Sequence, residues 1–348
     1  MNYRNIFITL AALSGTVTAS AWSAESATVA FLMPDQASTR YEQHDFPGFK
    51  AEMSKLCADC KVIYQNANAN ASLQQQQFNS VIAQGAKVIV LDPVDSSAAA
   101  ALVENAQAQG VKVIAYDRPV PDKPADFYVS FDNEGIGYAI AKSLTDHLKA
   151  SGVPQDAGVL QINGSPTDAA AGLIRDGIHR GLKESGYKTF AEFDTPEWAP
   201  PKAQEWTAGQ VTRFGDKIKG VVAANDGTGG GAIAAFKAAG VQPLPPVTGN
   251  DATIAALQLI IAGDQYNTIS KPSEIVAAAA AKVAVDFIQG KKPQASTTLY
   301  NTPSQLFTPE VVTAKNIKAE IFDKKIQTWD QVCSGEYAAA CQKLGISK

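Results

Sequence analysis

Short runs of apolar and β-branched residues recur along the chain, separated by longer stretches in which apolar positions return at helical spacing. The runs read as strands: TVAFLM (28–33), KVIYQNA (61–67), KVIVLD (87–92), VKVIAYD (111–117), FYVSFD (127–132), GVLQING (158–164), TFAEFD (189–194), KGVVAAND (219–226), PVTGND (246–251) and YNTISK (266–271). Between them lie amphipathic segments such as SLQQQQFNSVIAQG and SSAAAALVENAQAQG, each ending in the glycine that commonly stops a helix. Strict alternation of strand and helix predicts parallel sheets with helices on both faces. So many strands suit two sheets better than one. No 20- to 50-residue period repeats, which excludes a solenoid. From about Pro303 the rhythm stops, and FTPEVVTAKNIKAEIFDKKIQTWDQVC is expected to wrap over the lobes or the hinge between them.

The carboxyl ends of the strands are unusually polar. Asp35, Asn66, Asp92, Asp117 with Arg118, Asp132 with Asn133, Asn163, Asp194, Asn225 with Asp226, Asn250 with Asp251, and Lys271 all fall there. In open α/β sheets, ligands bind outside these ends. Helix capping accounts for many of the acids and amides. It does not account for Arg118 or Lys271, because cations are disfavoured at helix starts. In VKVIAYDRPVP a buried strand runs directly into Asp117 and Arg118, and unpaired charge is costly to bury. Acids, amides, an arginine and a lysine meeting in one crevice offer both donors and acceptors. That mixture suits a neutral, hydroxyl-rich ligand, since each sugar hydroxyl donates and accepts. Trp198, in the loop TPEWAPP, is placed either to stack on a sugar ring or to pack at the surface.

Composition narrows the classes. A length of 348 residues favours two lobes, and 45% hydrophobic with 18% charged residues is ordinary for a soluble globular protein. A formal net charge of -4 argues against a nucleic-acid partner. The start, MNYRNIFITLAALSGTVTASAWSAES, has a basic n-region, a short apolar stretch and small residues, the pattern of a signal peptide over 1–24. Export places the chain in an oxidising compartment. There Cys57 with Cys60, and Cys333 with Cys341, read as two local disulfides, with a zinc site as the alternative. Enzyme motifs are missing: NDGTGGGAIAA lacks the ending of a phosphate loop, INGSPTD is not a nucleophile elbow, and no HExxH occurs. His44, His147 and His179 stand singly. Neither a cofactor, a metal nor a catalytic residue is expected.

Several pieces together resemble the periplasmic sugar-binding proteins of ABC importers, nearest the xylose-binding type. They are AYDRPVPD (115–122), DFYVSFDNE (126–134), NGSPTDAAAGLIRDG (163–177), VVAANDGTGGGAI (221–233), TGNDAT (248–253) and TISKPS (268–273). Their order holds over roughly residues 28 to 310. The resemblance implies a type I periplasmic binding protein: two doubly wound parallel-sheet lobes joined by a three-stranded hinge that closes on one monosaccharide. It implies an N-terminal lobe of 27–132 plus 267–301 and a C-terminal lobe of 133–266 plus 302–348. The implied ligand set is Arg40, Asp117, Arg118, Asp168, Arg175, Trp198, Asn225, Asp251 and Lys271. Its partners would be an ABC permease in the inner membrane, or a chemoreceptor or sensor kinase if the role is sensing. The protein would be a periplasmic monomer.

Two departures bear on the sugar. The xylose-binding pattern has two amides after the position of Asp168, and this chain has Ala169 and Ala170. The lost amide at Ala170 opens space and brings glucose or galactose into competition with xylose. Tyr41 stands where the family often has Trp, altering one stacking wall. Three rivals differ in class: a sensor of a sugar or signal molecule, an exported enzyme on an α/β fold, and a sugar-responsive repressor. The last would need a DNA-binding helix-turn-helix where the signal peptide stands.

Overall fold

The computed structural model describes residues 27–36 and 38–348, so the expected signal peptide lies outside the described residues. The first lobe is built on a seven-stranded sheet. Its strands are β1 (Thr28–Met33), β2 (Lys61–Asn66), β3 (Ala86–Leu91), β4 (Lys112–Tyr116), β5 (Phe127–Phe131), β10 (Thr297–Leu299) and β11 (Thr302–Phe307), in the order β10-β11-β5-β4-β3-β1-β2. All neighbours are parallel except the β10–β11 hairpin. Helices α1 (Phe46–Leu56) and α9 (Ser273–Ile288) pack on one face, α2 (Ala71–Ala83) and α3 (Ala99–Ala108) on the other. Successive residues of β1 therefore enter different cores. Val29, Phe31 and Met33 meet Phe49 and Met53, whereas Ala30 and Leu32 meet the cluster of Phe78 and Val103. A strand buried on both faces cannot alternate with polar residues, which is why TVAFLM and KVIVL are continuous apolar runs.

The second lobe carries β6 (Gly158–Asn163), β7 (Lys188–Asp194) and β8 (Ile218–Ala223) in the parallel order β7-β6-β8. An antiparallel pair, β9 (Asn267–Ser270) and β12 (Glu310–Thr313), extends this layer through the segment around Val247. Its helices are α4 (Asn133–Ala150), α5 (Ala169–Ser185), α6 (Pro200–Phe214), α7 (Asp226–Ala238) and α8 (Ile254–Ala262), with the short α10 (Trp329–Val332) and α11 (Ala338–Lys343) in the tail. The expected strand 246–251 reduces to one bridge, Val221 to Val247. Pro245 and Pro246 stand before it, and a proline has no N–H for a ladder. Helices α4 and α5 lie backbone to backbone: a Cβ on Gly137 would overlap the carbonyl of Ile174, and one on Gly177 that of Glu134. This contact fixes the start of α5 at the cleft.

The chain passes between lobes three times, at Asp132–Asn133, near Lys271 and after Phe307. The strand pairings differ in detail from the expected boundaries at 267 and 302. Strand β9 pairs with β12 in the second lobe, so the second passage comes after Ser270. Strand β11 pairs with β5, so the hairpin that spans residue 302 stays whole in the first lobe. The tail also carries more structure than its sequence rhythm suggests, since it supplies β11 and β12 before wrapping the second lobe. There Ile317, Ile321, Val332 and Ile346 cover Leu257, Ile260 and Ile261 of α8. Both expected disulfides are formed: Cys57–Cys60 at the end of α1, and Cys333–Cys341 buried under the tail.

Candidate functional site: a charged cavity between the lobes

The strand ends of both sheets converge on one cavity. It is lined from the first lobe by Asp35, Ser38, Arg40, Tyr41, Asp117 and Arg118, and from the second by Asn133, Asp168, Ala170, Ile174, Trp198, Asn225, Asn250 and Asp251, with Lys271 at the passage between them. The cavity is small, about 40 Å³ in volume.

Local structure explains the placement of each side chain. Asp117 follows β4 with φ of 59°, a left-handed turn at the strand's end, and lines the cavity. Asp168 and Asn225 cap α5 and α7, accepting from the N–H groups of Ala170 at 2.7 Å and Thr228 at 2.9 Å. Capping and cavity-lining are thus combined in the same residues. Glu197 and Trp198 both have left-handed backbones, at 57° and 55°. The indole lies flush on Gly164, where a Cβ would overlap the ring. Its Nε1 donates to Asp168 Oδ2 at 3.0 Å.

Three cations organise the charge. Arg40 donates to Asp45 at 2.7 Å and to Asp117 at 2.5 Å. Arg118 donates to Asp35 at 2.8 Å, and its Nε lies 3.2 Å from Asp168 and 3.4 Å from Asp92. Lys271 stands 3.2 Å from Asp251 and 3.5 Å from Asp117. With Arg118 and Lys271 only 5% and 7% exposed, these pairs are desolvated and energetically weighty. Burial pushes Asp117 up, but Arg40, Lys271 and Arg118 outweigh it and hold the carboxyl well below the usual carboxylate range. At Asp92, Asp168 and Asp45 burial wins, and all three are raised, against the pull of Arg118 on the first two and of Arg40 on Asp45. Burial, reinforced by the nearby charge of Asp251, carries Asp226 up to about 7.

The internal pairing leaves a remainder. Arg40 Nε and Asn250 Oδ1 are buried without a hydrogen-bond partner, and Arg118 Nε meets Asp168 and Asp92 as ion pairs without hydrogen-bond geometry. Unmatched donors and acceptors on the walls of one cavity call for a ligand that both accepts and donates. A single anion would not satisfy the acceptors, nor a cation the donors.

Of the residues implied by the resemblance, Arg40, Asp117, Arg118, Asp168, Trp198, Asn225, Asp251 and Lys271 meet around the cavity, as does Tyr41. Arg175 does not. It sits one position beyond Ile174, about 100° round the helix, and faces Asp194 at 3.7 Å with its side chain 39% exposed. Ile174 lines the cavity in its stead, on the same face of α5 as Ala170. Asp35, Ser38, Asn133, Ile174 and Asn250 were not in the implied set. Asp35, Asn133 and Asn250 carried the strand-end signal, whereas Ser38 and Ile174 carried none. None of His44, His147 and His179 lines the cavity: they engage Glu274, Tyr266 and Glu192.

Comparison with known proteins agrees with this architecture. Residues 29–292 match the family described as periplasmic binding protein domain. The chain is 37% identical to the D-xylose-binding periplasmic protein of Escherichia coli K12, over 91% of this chain and 96% of that one. It is 28% identical to the multiple sugar-binding periplasmic receptor ChvE of Rhizobium radiobacter, over 94% and 99%. A carbohydrate transporter solute-binding protein from Chloroflexus aurantiacus, solved with D-glucose, superposes with a TM-score of 0.80 at 26% identity, covering 88% of this chain and 98% of that one. These relatives are binding proteins, not enzymes, and with a two-lobed fold closed around a polar cavity the chain belongs to the periplasmic binding protein family.

Proposed function

We propose that this protein captures a single pyranose in the periplasm and delivers it, as a monomer, to an ABC permease in the inner membrane. D-xylose is the first candidate, with glucose or galactose next. The observation that carries the reading is the cavity itself: desolvated Arg40, Arg118 and Lys271, carboxylates from both lobes, three amides and an indole, with hydrogen-bonding capacity left over. Planar guanidinium and carboxylate groups each bridge adjacent hydroxyls, and Trp198 presents an aromatic face for the apolar side of the ring. Because the walls come from both lobes, contacts completed only on closure pull the open–closed equilibrium toward the closed form. The permease then reads that closed form. Ala170 removes an amide from the pocket wall and leaves space beside the ring, which supports a hexopyranose as the competitor.

Thermal unfolding of the mature protein against xylose, glucose, galactose, arabinose, ribose and fructose tests the reading. A sugar at about a hundred times its dissociation constant adds roughly 2.7 kcal/mol of stability. A shift with xylose supports the first candidate, and a larger shift with glucose or galactose supports a pocket widened at Ala170. No shift with any sugar, after refolding to strip retained ligand, would sink the monosaccharide reading. A sensing role is the alternative, favoured by the relative named a multiple sugar-binding receptor. Stabilisation by several sugars to similar extents would support it.

A further inference from the structure

Asp226 opens α7 directly after Asn225 and is buried, yet it does not line the cavity. Its carboxylate collects four donors. Thr268 Oγ1 donates to Oδ1 at 2.7 Å and Gln265 Nε2 at 3.1 Å. Thr253 donates to Oδ2 through its backbone N–H at 2.8 Å and its hydroxyl at 3.1 Å. The Asp226 N–H donates in turn to the carbonyl of Asn250 at 2.9 Å.

All of this grips a four-residue segment that the backbone does not hold by itself. Asp251 and Ala252 have φ of 105° and 49°, a conformation disfavoured for residues with a Cβ. The segment makes few ladder bonds: Asp251 donates to Ile269 at 3.2 Å, and Ala252 to Thr268 Oγ1 at 3.1 Å. Thr268 therefore holds the segment while being held by Asp226. Gly249 completes the fit, because a Cβ there would overlap Asp226 Oδ1. The segment carries Asn250 and Asp251, and Asp251 reaches Lys271 and Arg40. A residue needed only for packing would be apolar here, since the charge of Asp251 opposes a second buried acid.

We propose that Asp226 is a positioning residue for the sugar site, setting the place of the Asn250–Asp251 wall from behind. The inference rests on the sugar-binding reading. Its test is a double-mutant cycle read by calorimetry with D-xylose and D-glucose, together with amide exchange of residues 250–253 in the unliganded protein. Asp226→Leu, similar in size but unable to accept, should lower affinity at least about tenfold and speed exchange at Ala252 and Thr253, while Asp226→Asn should stay within about threefold. In an Asp251→Ala background the Leu substitution should cost less than about threefold, because its effect passes through Asp251. Equal losses in both backgrounds, or an unchanged affinity, overturn the proposal. Should Asp226→Leu fail to fold, Thr268→Val takes its place in the same cycle. If no sugar binds the wild type, the sugar reading falls, and unchanged amide exchange in the variant then overturns the positioning role separately.

Discussion

Arg118 Nε, from the first lobe, lies 3.2 Å from Asp168 Oδ2, from the second, and Trp198 donates to that same oxygen. One ion pair thus ties the lobes together beside the sugar site. Ser96 adds a second tie, donating its N–H to Thr167 and accepting from Ala169. Such contacts stabilise closure whether or not a ligand is bound. Asp168→Asn is expected to shift the unliganded protein toward the open form, seen as a larger radius of gyration in small-angle scattering. Identical scattering for variant and wild type would show that the pair does not govern closure.

Arg118→Ala should damage both stability and binding. It leaves Asp35, Asp92 and Asp168 without their shared cation, and breaking a buried pair costs about 3–5 kcal/mol. Denaturant unfolding and sugar titration are the measurements. A variant with wild-type affinity would remove Arg118 from the site.

Gly164→Ala tests the seat of the indole. The added methyl overlaps Trp198, so the ring must rise into the cavity or the 195–199 loop must move. Sugar affinity should fall at least about tenfold with little change in the overall fold, because the displaced ring reshapes one wall of a small pocket. Tryptophan fluorescence and calorimetry report the two effects, and unchanged values in both would mean the indole is not seated on Gly164.

The pH dependence of stability should show Asp226. Its carboxyl rises from an ordinary 3.8 to about 7, so the folded state keeps a proton that the unfolded chain has released. Stability from this group therefore falls as pH rises from about 4 to about 7 and is level above that, with an upper bound of roughly 4 kcal/mol. Asp45, Asp92 and Asp168 act in the same direction, so the comparison is with Asp226→Asn, which should show a shallower decline between pH 5 and 8. Parallel curves would place the proton elsewhere.

Reduction of Cys333–Cys341 should loosen the tail. A bridge closing a loop with a sequence separation of 8 contributes about 2.5 kcal/mol by the chain-entropy estimate. Cys333→Ser with Cys341→Ser should lower the unfolding temperature more than the corresponding change at Cys57 and Cys60, whose separation is 3. The opposite ranking would show that strain or residual structure dominates.

The central strands were legible because burial on two faces leaves a nearly unbroken apolar run, as in TVAFLM and KVIVL. Strands β11 and β12 were not, since TPSQLF and EVVT carry polar residues and lack the double burial of the central strands. Within the site, strand-end residues such as Asp117 and Asn225 announce themselves by breaking an apolar pattern. Ile174 breaks nothing: its cavity-facing role depends on how α5 is rotated, which the contact at Gly137 and Gly177 sets. A one-residue step round that helix separates it from Arg175. Ser38 depends likewise on a loop path that no periodicity encodes.

The three passages between lobes have a consequence for synthesis. Strand β5 receives its neighbour β11, and β9 its neighbour β12, only from residues 302–313. The chain is synthesised amino end first, so both lobes wait, each with an open strand edge, for the same late stretch. A stop codon or proteolytic nick near residue 300 would not release a working half. It would leave two unfinished sheets, each offering a sticky margin to its neighbours, so residues 302–313 guard both lobes against aggregation.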